Sequence, residues 1–128
     1  MSASPEKIRE VIEQYVARVA TGTTDDVMEL YAEGATVEDP VGTEVRTTRK
    51  SIREFYSGLE SLEQAGEVLS ARIAGGQAAF LFELRTKAGE QTYTLAPIDV
   101  MTFDDEGQIT SMRAYWSDVD LVVGGPPS

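Results

Sequence analysis

Apolar residues recur at helical spacing in the first half of the chain. Ser4 and Pro5 suit the N-cap and the first position of a helix, and Gly22 suits its end. The inward positions of this predicted helix are Ile8, Val11, Ile12, Tyr15, Val16 and Val19. The pattern therefore predicts an amphipathic helix that ends near Gly22.

Two shorter helices and an extended segment are predicted next. The first of these helices follows Thr24 and ends at Gly34. Its inward positions are Val27, Leu30 and Tyr31. Residues 35–39 are predicted to be extended, because Pro40 disfavours a helical conformation at the residue before it. The third helix begins near Thr48, and its apolar stripe comprises Ile52, Phe55, Tyr56, Leu59 and Leu62.

From Glu67 onward the apolar positions alternate, which is typical of strands. One strand runs from Glu67 to a turn at Gly75-Gly76, and others cover 77–87, 91–103 with an interruption at Pro97, and 108–116. Helices followed by antiparallel strands predict an α+β domain, in which a strongly curved sheet wraps three helices into an open-ended cone. Residues 1–123 are predicted to form this single domain, and 124–128 a flexible tail.

Composition narrows the possible chemistry. The 128 residues include no histidine and no cysteine, which excludes Ser-His-Asp and Cys-His nucleophiles, His or Cys zinc sites and redox dithiols. Proton transfer must therefore use a carboxylate, a tyrosine or a lysine. The net charge of −11 argues against nucleic acid and anionic membranes as partners. Without a signal-peptide pattern or a membrane-length apolar run, a cytoplasmic protein is expected. Arg46, Arg49, Lys50 and Arg53 are interpreted as a solvated face.

Two aspartates stand out as candidates for acid–base chemistry. The residues that share a strand face with Asp99 are Leu95, Pro97, Met101 and Phe103. Burial on that face would raise the pKa of Asp99 and keep it protonated, so that it could donate a hydrogen bond. The alternative is a bulge at Pro97 that turns Asp99 to water. Asp39 ends the extended segment before a rigid turn, where a partly desolvated carboxylate suits a general base. The alternative is an aspartate that simply closes the turn.

Tyrosines and large apolar residues complete the candidate set. Tyr15, Tyr31 and Tyr56 occupy inward positions of the three predicted helices, and their hydroxyls could form a hydrogen-bonded chain. The alternative is three ordinary core tyrosines. A broad apolar pocket for a flat ligand could be lined by Phe55, Phe82, Met101, Phe103, Met112 and Trp116. The same residues could equally be plain core.

Several of these residues lie in segments that resemble the bacterial Δ5-3-ketosteroid isomerases of the NTF2-like/SnoaL-like superfamily. The segments are Tyr15-Val-Ala-Arg, Ala35-Thr-Val-Glu-Asp-Pro-Val-Gly42, Ile52-Arg-Glu-Phe-Tyr56, Ala96-Pro-Ile-Asp99 and Ser111-Met-Arg-Ala-Tyr-Trp116. The resemblance runs from about Pro5 to Val123, and it is most specific where Asp39 and Asp99 each occupy the position of a catalytic acid. Only the region from Glu60 to Gly66 and the tail match poorly.

The resemblance implies a fold, a reaction and a role for each residue. The fold is the NTF2-like cone with a mixed or antiparallel sheet, and the usual assembly is a homodimer through that sheet. The reaction converts Δ5-3-ketosteroids to Δ4-3-ketosteroids without a cofactor or a metal. Asp39 would shuttle the proton, Tyr15 and Asp99 would stabilise the oxyanion, and Tyr31 and Tyr56 would support Tyr15. The residues implied to line the steroid pocket are Phe55, Phe82, Met101, Met112 and Trp116. Ketosteroid isomerases are themselves the known example of a carboxylic acid kept neutral by an apolar site.

Two other functions remain open at this point. Members of the superfamily keep the cone for other reactions, so the chain could be another NTF2-like enzyme such as a polyketide cyclase. It could also be a non-catalytic small-molecule-binding or dimerisation module. The presence of all three catalytic residues disfavours both, because a binding module does not need Asp39 beside an oxyanion hole.

Overall fold

The computed structural model describes residues 2–124, in which three helices pack on one curved, mixed sheet of seven strands. The helices are α1 (Pro5–Thr21), α2 (Thr24–Met28) and α3 (Arg49–Glu60). The strands are β1 (Tyr31–Glu38), β2 (Glu63–Ala74), β3 (Gln77–Ala88), β4 (Gln91–Leu95), β5 (Ile98–Phe103), β6 (Ile109–Tyr115) and β7 (Leu121–Gly124). The predicted α+β class is confirmed.

The sequence signals at the ends of α1 have the expected effect. The side chain of Ser4 accepts a hydrogen bond from the backbone N–H of Lys7 at 3.1 Å, and Pro5 occupies the first turn. At the other end the backbone N–H of Gly22 donates to the carbonyl of Arg18 at 2.8 Å. The helix therefore begins and ends as predicted, and its apolar stripe, including Tyr15, is buried.

The prediction for α2 was wrong, because this helix ends at Met28 and not at Gly34. Tyr31 begins β1, which pairs in parallel with β6 through Tyr31 and Ile109. Gly34 adopts a positive φ of 78°, and it lies where the register of β1 shifts. This long-range pairing overrides the local helical spacing. The three candidate phenols therefore come from two helices and a strand.

Arg49, at the start of α3, closes the junction between α2 and β1. Its guanidinium donates hydrogen bonds to the carbonyls of Met28, Tyr31 and Ala32 at 3.1, 3.2 and 3.4 Å. These bonds join the start of α3 to the end of α2 and the start of β1. Arg49 is nevertheless exposed, so its interpretation as part of a solvated face is confirmed.

The sheet bends where one long strand changes partner. Its strand order is β1-β6-β5-β3-β4-β7, with β2 paired to β3. The first half of β3 pairs with β5 and its second half with β4, and Ala96 and Pro97 separate these two partners. The predicted interruption at Pro97 is confirmed. Within residues 2–124 every strand pairing is antiparallel except that of β1 with β6, so the sheet is mixed rather than a simple meander.

The remaining differences concern edges of the sheet. β2 begins at Glu63 rather than Glu67, because its first residues pair with the end of β3. Leu62 lies after the end of α3 and is 39% exposed, so it does not belong to the predicted stripe. β7 was not predicted, and its last residue is Gly124, the first residue of the expected tail. Residues 125–128 lie outside the described residues, and the single domain over 1–123 stays a prediction.

The core lies between α1 and the sheet. At the closest approach, Gly66 of β2 faces Val16 of α1, and a Cβ atom there would lie 3.1 Å from a methyl group of Val16. In the part of the chain that the structure describes, no helix is long and apolar enough to span a membrane.

Candidate active site

Three buried tyrosines form a chain of hydrogen bonds inside the cone. The hydroxyl of Tyr56 on α3 lies 2.7 Å from that of Tyr15 on α1 and 2.6 Å from that of Tyr31 on β1. Tyr56 is therefore the central member, because a hydroxyl can donate one hydrogen bond and accept another. Each ring is at most 3% exposed. The structure thus brings together the three phenols that the sequence singled out, in the order Tyr31, Tyr56, Tyr15.

Burial keeps these phenols protonated. Desolvation raises the pKa of Tyr15 well above its ordinary value, and the nearby Tyr31 and Asp99 raise it further. The pKa of Tyr56 and that of Tyr31 are also raised, again mainly by burial. Tyr15 therefore lies as a neutral phenol at one end of the hydrogen-bonded chain. If Tyr56 donates to it, the Tyr15 hydroxyl is left to donate elsewhere and is polarised by the hydroxyls behind it.

Asp99 is buried on the inner face of β5. It is 1% exposed, whereas its neighbour Ile98 on the other face is 47% exposed. Asp99 pairs in regular register with Phe80 and Ala114, so no bulge turns it toward water. Its pKa is raised well above the ordinary value, first by burial and then by the charge of Asp39. Burial therefore favours the neutral carboxylic acid form of Asp99, and the alternative of a bulge that turns Asp99 to water is wrong.

One oxygen of Asp99 has no partner within residues 2–124. The Oδ1 atom is buried without a hydrogen bond. Buried polar atoms are normally paired, and an unpaired one is costly. Phe80, the strand partner of Asp99, packs edge-to-face on Tyr15, so the two polar side chains lie in the same part of the interior. Neither of them lines the cleft that contains Asp39.

Asp39 lies at the end of β1 in different surroundings. It is half-buried, and the indole N–H of Trp116 donates a hydrogen bond to its Oδ1 at 2.7 Å. The pKa of Asp39 is raised above its ordinary value by burial, and the hydrogen bond from Trp116 and the positive charge of Arg46 oppose this rise. Two neighbours of Asp39 therefore favour its ionised form. The pKa of Asp99 is shifted by burial and by Asp39, and both of these favour its neutral form.

The predicted pocket residues divide into two groups. Phe55 lines a cleft of about 660 Å³ together with Asp39 and Arg46. Phe82, Met101 and Met112 are instead buried in the core cluster, and the two methionines are fully buried. Trp116 is half-buried, packs against the core and donates to Asp39. Phe103 packs at the margin of the same core. A role of these core residues in binding a ligand stays a prediction.

Three features of the site were missed by sequence reasoning. Phe80 packs edge-to-face on Tyr15 with ring centroids 6.4 Å apart, and the sequence indicated only that it lies on an inward strand face. Trp116 was expected as a pocket wall and not as the donor to Asp39. Arg46 was interpreted as solvated, but it is half-buried in the cleft. The hydrogen bond from Trp116 to Asp39 and the place of Arg46 in the same cleft depend on tertiary structure, so no local signal could have revealed them.

The arrangement as a whole combines one neutral acid, one phenol chain and one carboxylate that can ionise. Within the described residues, no three His, Cys, Asp or Glu side chains are grouped so that they could hold a metal ion. The expectation that the reaction needs no cofactor stays a prediction. What the described groups can do is accept a proton at one point and donate hydrogen bonds to an oxygen at another.

The fold and this site define a SnoaL-like protein. The family model described as the SnoaL-like domain matches residues 12–112, and the chain therefore belongs to that family. Among curated proteins it is similar to the steroid Delta-isomerase of Nocardioides simplex, with 45% identity over 117 residues that cover 91% of this chain and 95% of the relative. Among solved structures it is similar to SalBIII, described as an epoxide hydrolase/cyclase-like enzyme in pyran ring formation in the polyether salinomycin. That structure matches with a TM-score of 0.85 and 29% identity, covering 93% of this chain and 97% of SalBIII. The resemblance to this superfamily and the NTF2-like fold are confirmed.

Proposed function

We propose that this protein is a steroid Δ-isomerase that converts Δ5-3-ketosteroids to the conjugated Δ4-3-ketosteroids. The observation that carries the proposal is the pair of unlike aspartates. Asp99 is fully buried, which favours its neutral form, whereas Asp39 is half-buried and has two neighbours, Trp116 and Arg46, that oppose the rise of its pKa. The identity of 45% with a steroid Delta-isomerase supports the same reaction.

The mechanism assigns one proton acceptor and two hydrogen-bond donors. The 3-keto oxygen of the substrate lies between the hydroxyl of Tyr15 and the protonated carboxyl of Asp99. The carboxylate of Asp39 removes a proton from C4, which lies between the carbonyl carbon and the double bond. The electron pair of the C–H bond moves into the ring and onto the oxygen, which becomes a dienolate. Asp39, now neutral, returns the same proton to C6, and the double bond ends in conjugation with the ketone.

The surroundings of each group fit its task in this mechanism. Donors that are already aligned in a dry site stabilise a developing oxyanion strongly, because no solvent must reorganise. Tyr15 is fixed by Tyr56, and Asp99 is fixed in a regular strand pairing. Asp39 is more exposed than either donor. This suits a group that must carry a proton from one substrate carbon to another. Phe55, Phe82, Met101, Met112 and Trp116 would provide apolar contacts to the steroid rings.

A second candidate is a cyclase-like reaction on another substrate. The similarity to SalBIII over almost the whole chain favours it, because SalBIII is described as an epoxide hydrolase/cyclase-like enzyme. The neutral Asp99 beside Tyr15 favours the isomerase, since both can donate to an enolate oxygen.

The test is an ultraviolet assay for the conjugated enone formed from 5-androstene-3,17-dione. We expect catalysed formation of the Δ4-3-ketone and tight binding of equilenin, a phenolic mimic of the dienolate. Conversion at the uncatalysed rate would overturn the isomerase proposal. Binding of equilenin without conversion would point to a small-molecule-binding module instead.

We also propose that the protein is a homodimer formed through the outer face of the sheet. Ile98 and Tyr115 are partners in the register of β5 and β6, and they are 47% and 43% exposed. The apolar side chains of β7 are exposed too, with Val122 at 62% and Val123 at 55%. Large apolar side chains exposed on a sheet support an interaction surface. Sedimentation should give twice the chain mass of 13.9 kDa, and a monomer at micromolar concentration would contradict the proposal. A cytoplasmic location, and the absence of nucleic-acid and membrane partners, stay predictions.

A further inference from the structure

Arg46 lies in the loop between β1 and α3, but its backbone is held firmly. The N–H of Arg46 donates to the carbonyl of Val37 at 2.7 Å, and the N–H of Val37 donates back to the carbonyl of Arg46 at 3.0 Å. Val37 is 1% exposed, so this bridge anchors the loop to the core. Because Val37 lies two residues before Asp39 on the same chain, the bridge fixes Arg46 beside the end of β1 that carries the carboxylate.

The side chain of Arg46 is held as well. Its guanidinium donates to the carbonyl of Ser51 at 2.7 Å, and its central carbon lies 5.3 Å from the ring centroid of Phe55. This stacking is a cation–π interaction, which orients the charge as well as the ring. Arg46, Phe55 and Asp39 line the same cleft of about 660 Å³. A half-buried arginine that is restrained at both its backbone and its guanidinium is a fixed charge rather than a solvated one.

Arg46 is the positively charged residue that acts on Asp39 in this cleft. Tyr15, Tyr31 and Asp99 interact electrostatically with Asp39, and Trp116 donates a hydrogen bond to it. None of these four residues is a cation. Glu44 also lines the cleft and is negative. The adjacent Glu38 and Arg113 form their own ion pair with a distance of 3.1 Å. Among the described residues that line the cleft, Arg46 alone carries a positive charge.

We propose that Arg46 is a positioning residue that holds the Asp39 carboxylate in its ionised, proton-accepting form and thereby sets the acid limit of the enzyme. The proposal rests on the proposed function, because Asp39 is the base in that mechanism. A nearby cation favours an ionised carboxylate and lowers its pKa. Loss of the cation should therefore move the acid limb of the profile of kcat/KM against pH, since that limb reports the free enzyme.

Two variants give opposite expectations. In Arg46→Gln the charge is lost, and the acid limb should move upward by roughly half to one pH unit. At pH values above the limb the rate should be maintained, because an Asp39 with a higher pKa is a stronger base. In Arg46→Lys the charge is kept although the planar contact with Phe55 is lost, so the limb should stay in place. A purely structural role would lower the rate at every pH in both variants.

The chain provides a direct reporter for the same titration. Trp116 is the single tryptophan, and its indole N–H donates to Asp39, so its fluorescence should change when Asp39 gains a proton. The part of the fluorescence change with pH that disappears in Asp39→Asn reports the titration of Asp39. The carboxyl ¹³C resonance that disappears in the same variant also belongs to Asp39, and its shift with pH gives an independent titration midpoint. These readouts do not need substrate, so they separate this proposal from the isomerase proposal.

The experiment compares the Asp39 midpoint in the wild type, Arg46→Gln, Arg46→Met, Arg46→Lys and Lys50→Gln. Lys50 is an exposed cation on α3 that does not line the cleft, so its variant is matched for net charge. In Arg46→Gln and Arg46→Met we expect the Asp39 midpoint to move upward by roughly half to one pH unit. In Arg46→Lys and Lys50→Gln we expect it to move by less than about 0.2 pH units. An unshifted midpoint in Arg46→Gln and Arg46→Met, or an equal shift in Lys50→Gln, would overturn the proposal.

Discussion

The two ends of the site contain the same chemical group in opposite surroundings. Asp99 is buried in a regular strand pairing, and the two causes that shift its pKa, burial and the charge of Asp39, both raise it. Asp39 is more exposed, receives a hydrogen bond from Trp116 and lies near the charge of Arg46. Under the proposed function, this difference would allow a chain without histidine to divide acid and base roles between two aspartates. The surroundings, rather than the residue type, decide which one holds the proton.

The largest expected effect comes from removing the proton acceptor. In Asp39→Asn the amide oxygen can still accept the hydrogen bond from Trp116, but the amide cannot accept a proton. The isomerase rate should therefore fall by about 10⁴-fold. Steady-state assays at neutral pH measure the change. Glu33→Gln, which removes an exposed carboxylate from the same strand, should retain the wild-type rate. A loss of less than about tenfold in Asp39→Asn would assign the base to another residue.

Loss of a donor at the other end should have the next largest effect. Tyr15→Phe and Asp99→Ala each remove one hydrogen bond to the developing oxyanion, and each should lower kcat by about a hundredfold or more. Tyr115→Phe is a suitable control, because this hydroxyl lies on the exposed outer face of the sheet. If Asp99→Asn retained the rate while Asp39→Asn abolished it, the assignment of two donors would fail.

The protonation state of Asp99 also predicts how stability depends on pH. In the folded state its pKa is raised from 3.8, so the folded protein binds more protons than the unfolded chain above that pH. The free energy of unfolding contributed by Asp99 is therefore greatest below the unfolded pKa. It falls by up to about 1.4 kcal/mol per pH unit as the pH rises toward the folded pKa.

Asp99→Asn lacks this titration, so its stability relative to the wild type should increase between about pH 4 and pH 8. Urea unfolding at several pH values measures the difference, because the slope with denaturant reports the same exposed surface in both proteins. A difference in unfolding free energy that does not change with pH would show that Asp99 ionises normally in the folded protein.

The phenol chain gives the smallest predicted effect. The hydroxyl of Tyr56 is hydrogen-bonded to both other phenols, whereas the hydroxyl of Tyr31 is hydrogen-bonded to that of Tyr56 and lies at the far end from Tyr15. Tyr56→Phe should therefore lower kcat by roughly fivefold or more, and Tyr31→Phe by less, given about 1 kcal/mol for each hydrogen bond. The comparison uses kcat together with the thermal stability of both variants. Equal rate losses in the two variants would contradict the order of the chain.

Much of this site could be predicted from local patterns. The apolar neighbours of Asp99 at two-residue spacing correctly indicated a buried acid, and the stripe of α1 correctly placed Tyr15 inside. The position of Tyr31 could not be derived this way, because β1 pairs with β6, which is distant in sequence. The hydrogen bond between Trp116 and Asp39 joins residues 77 positions apart. β7 is a short edge strand that only its pairing with β4 defines.

The protonation of the two aspartates at neutral pH tests the central claim most directly. Infrared difference spectra of the wild type against Asp99→Asn and against Asp39→Asn separate the C=O stretch of a protonated carboxyl from the carboxylate bands. We predict that Asp99→Asn removes a protonated-carboxyl band and that Asp39→Asn removes carboxylate bands. Loss of carboxylate bands in both variants would show that both acids are ionised and would contradict the division of roles.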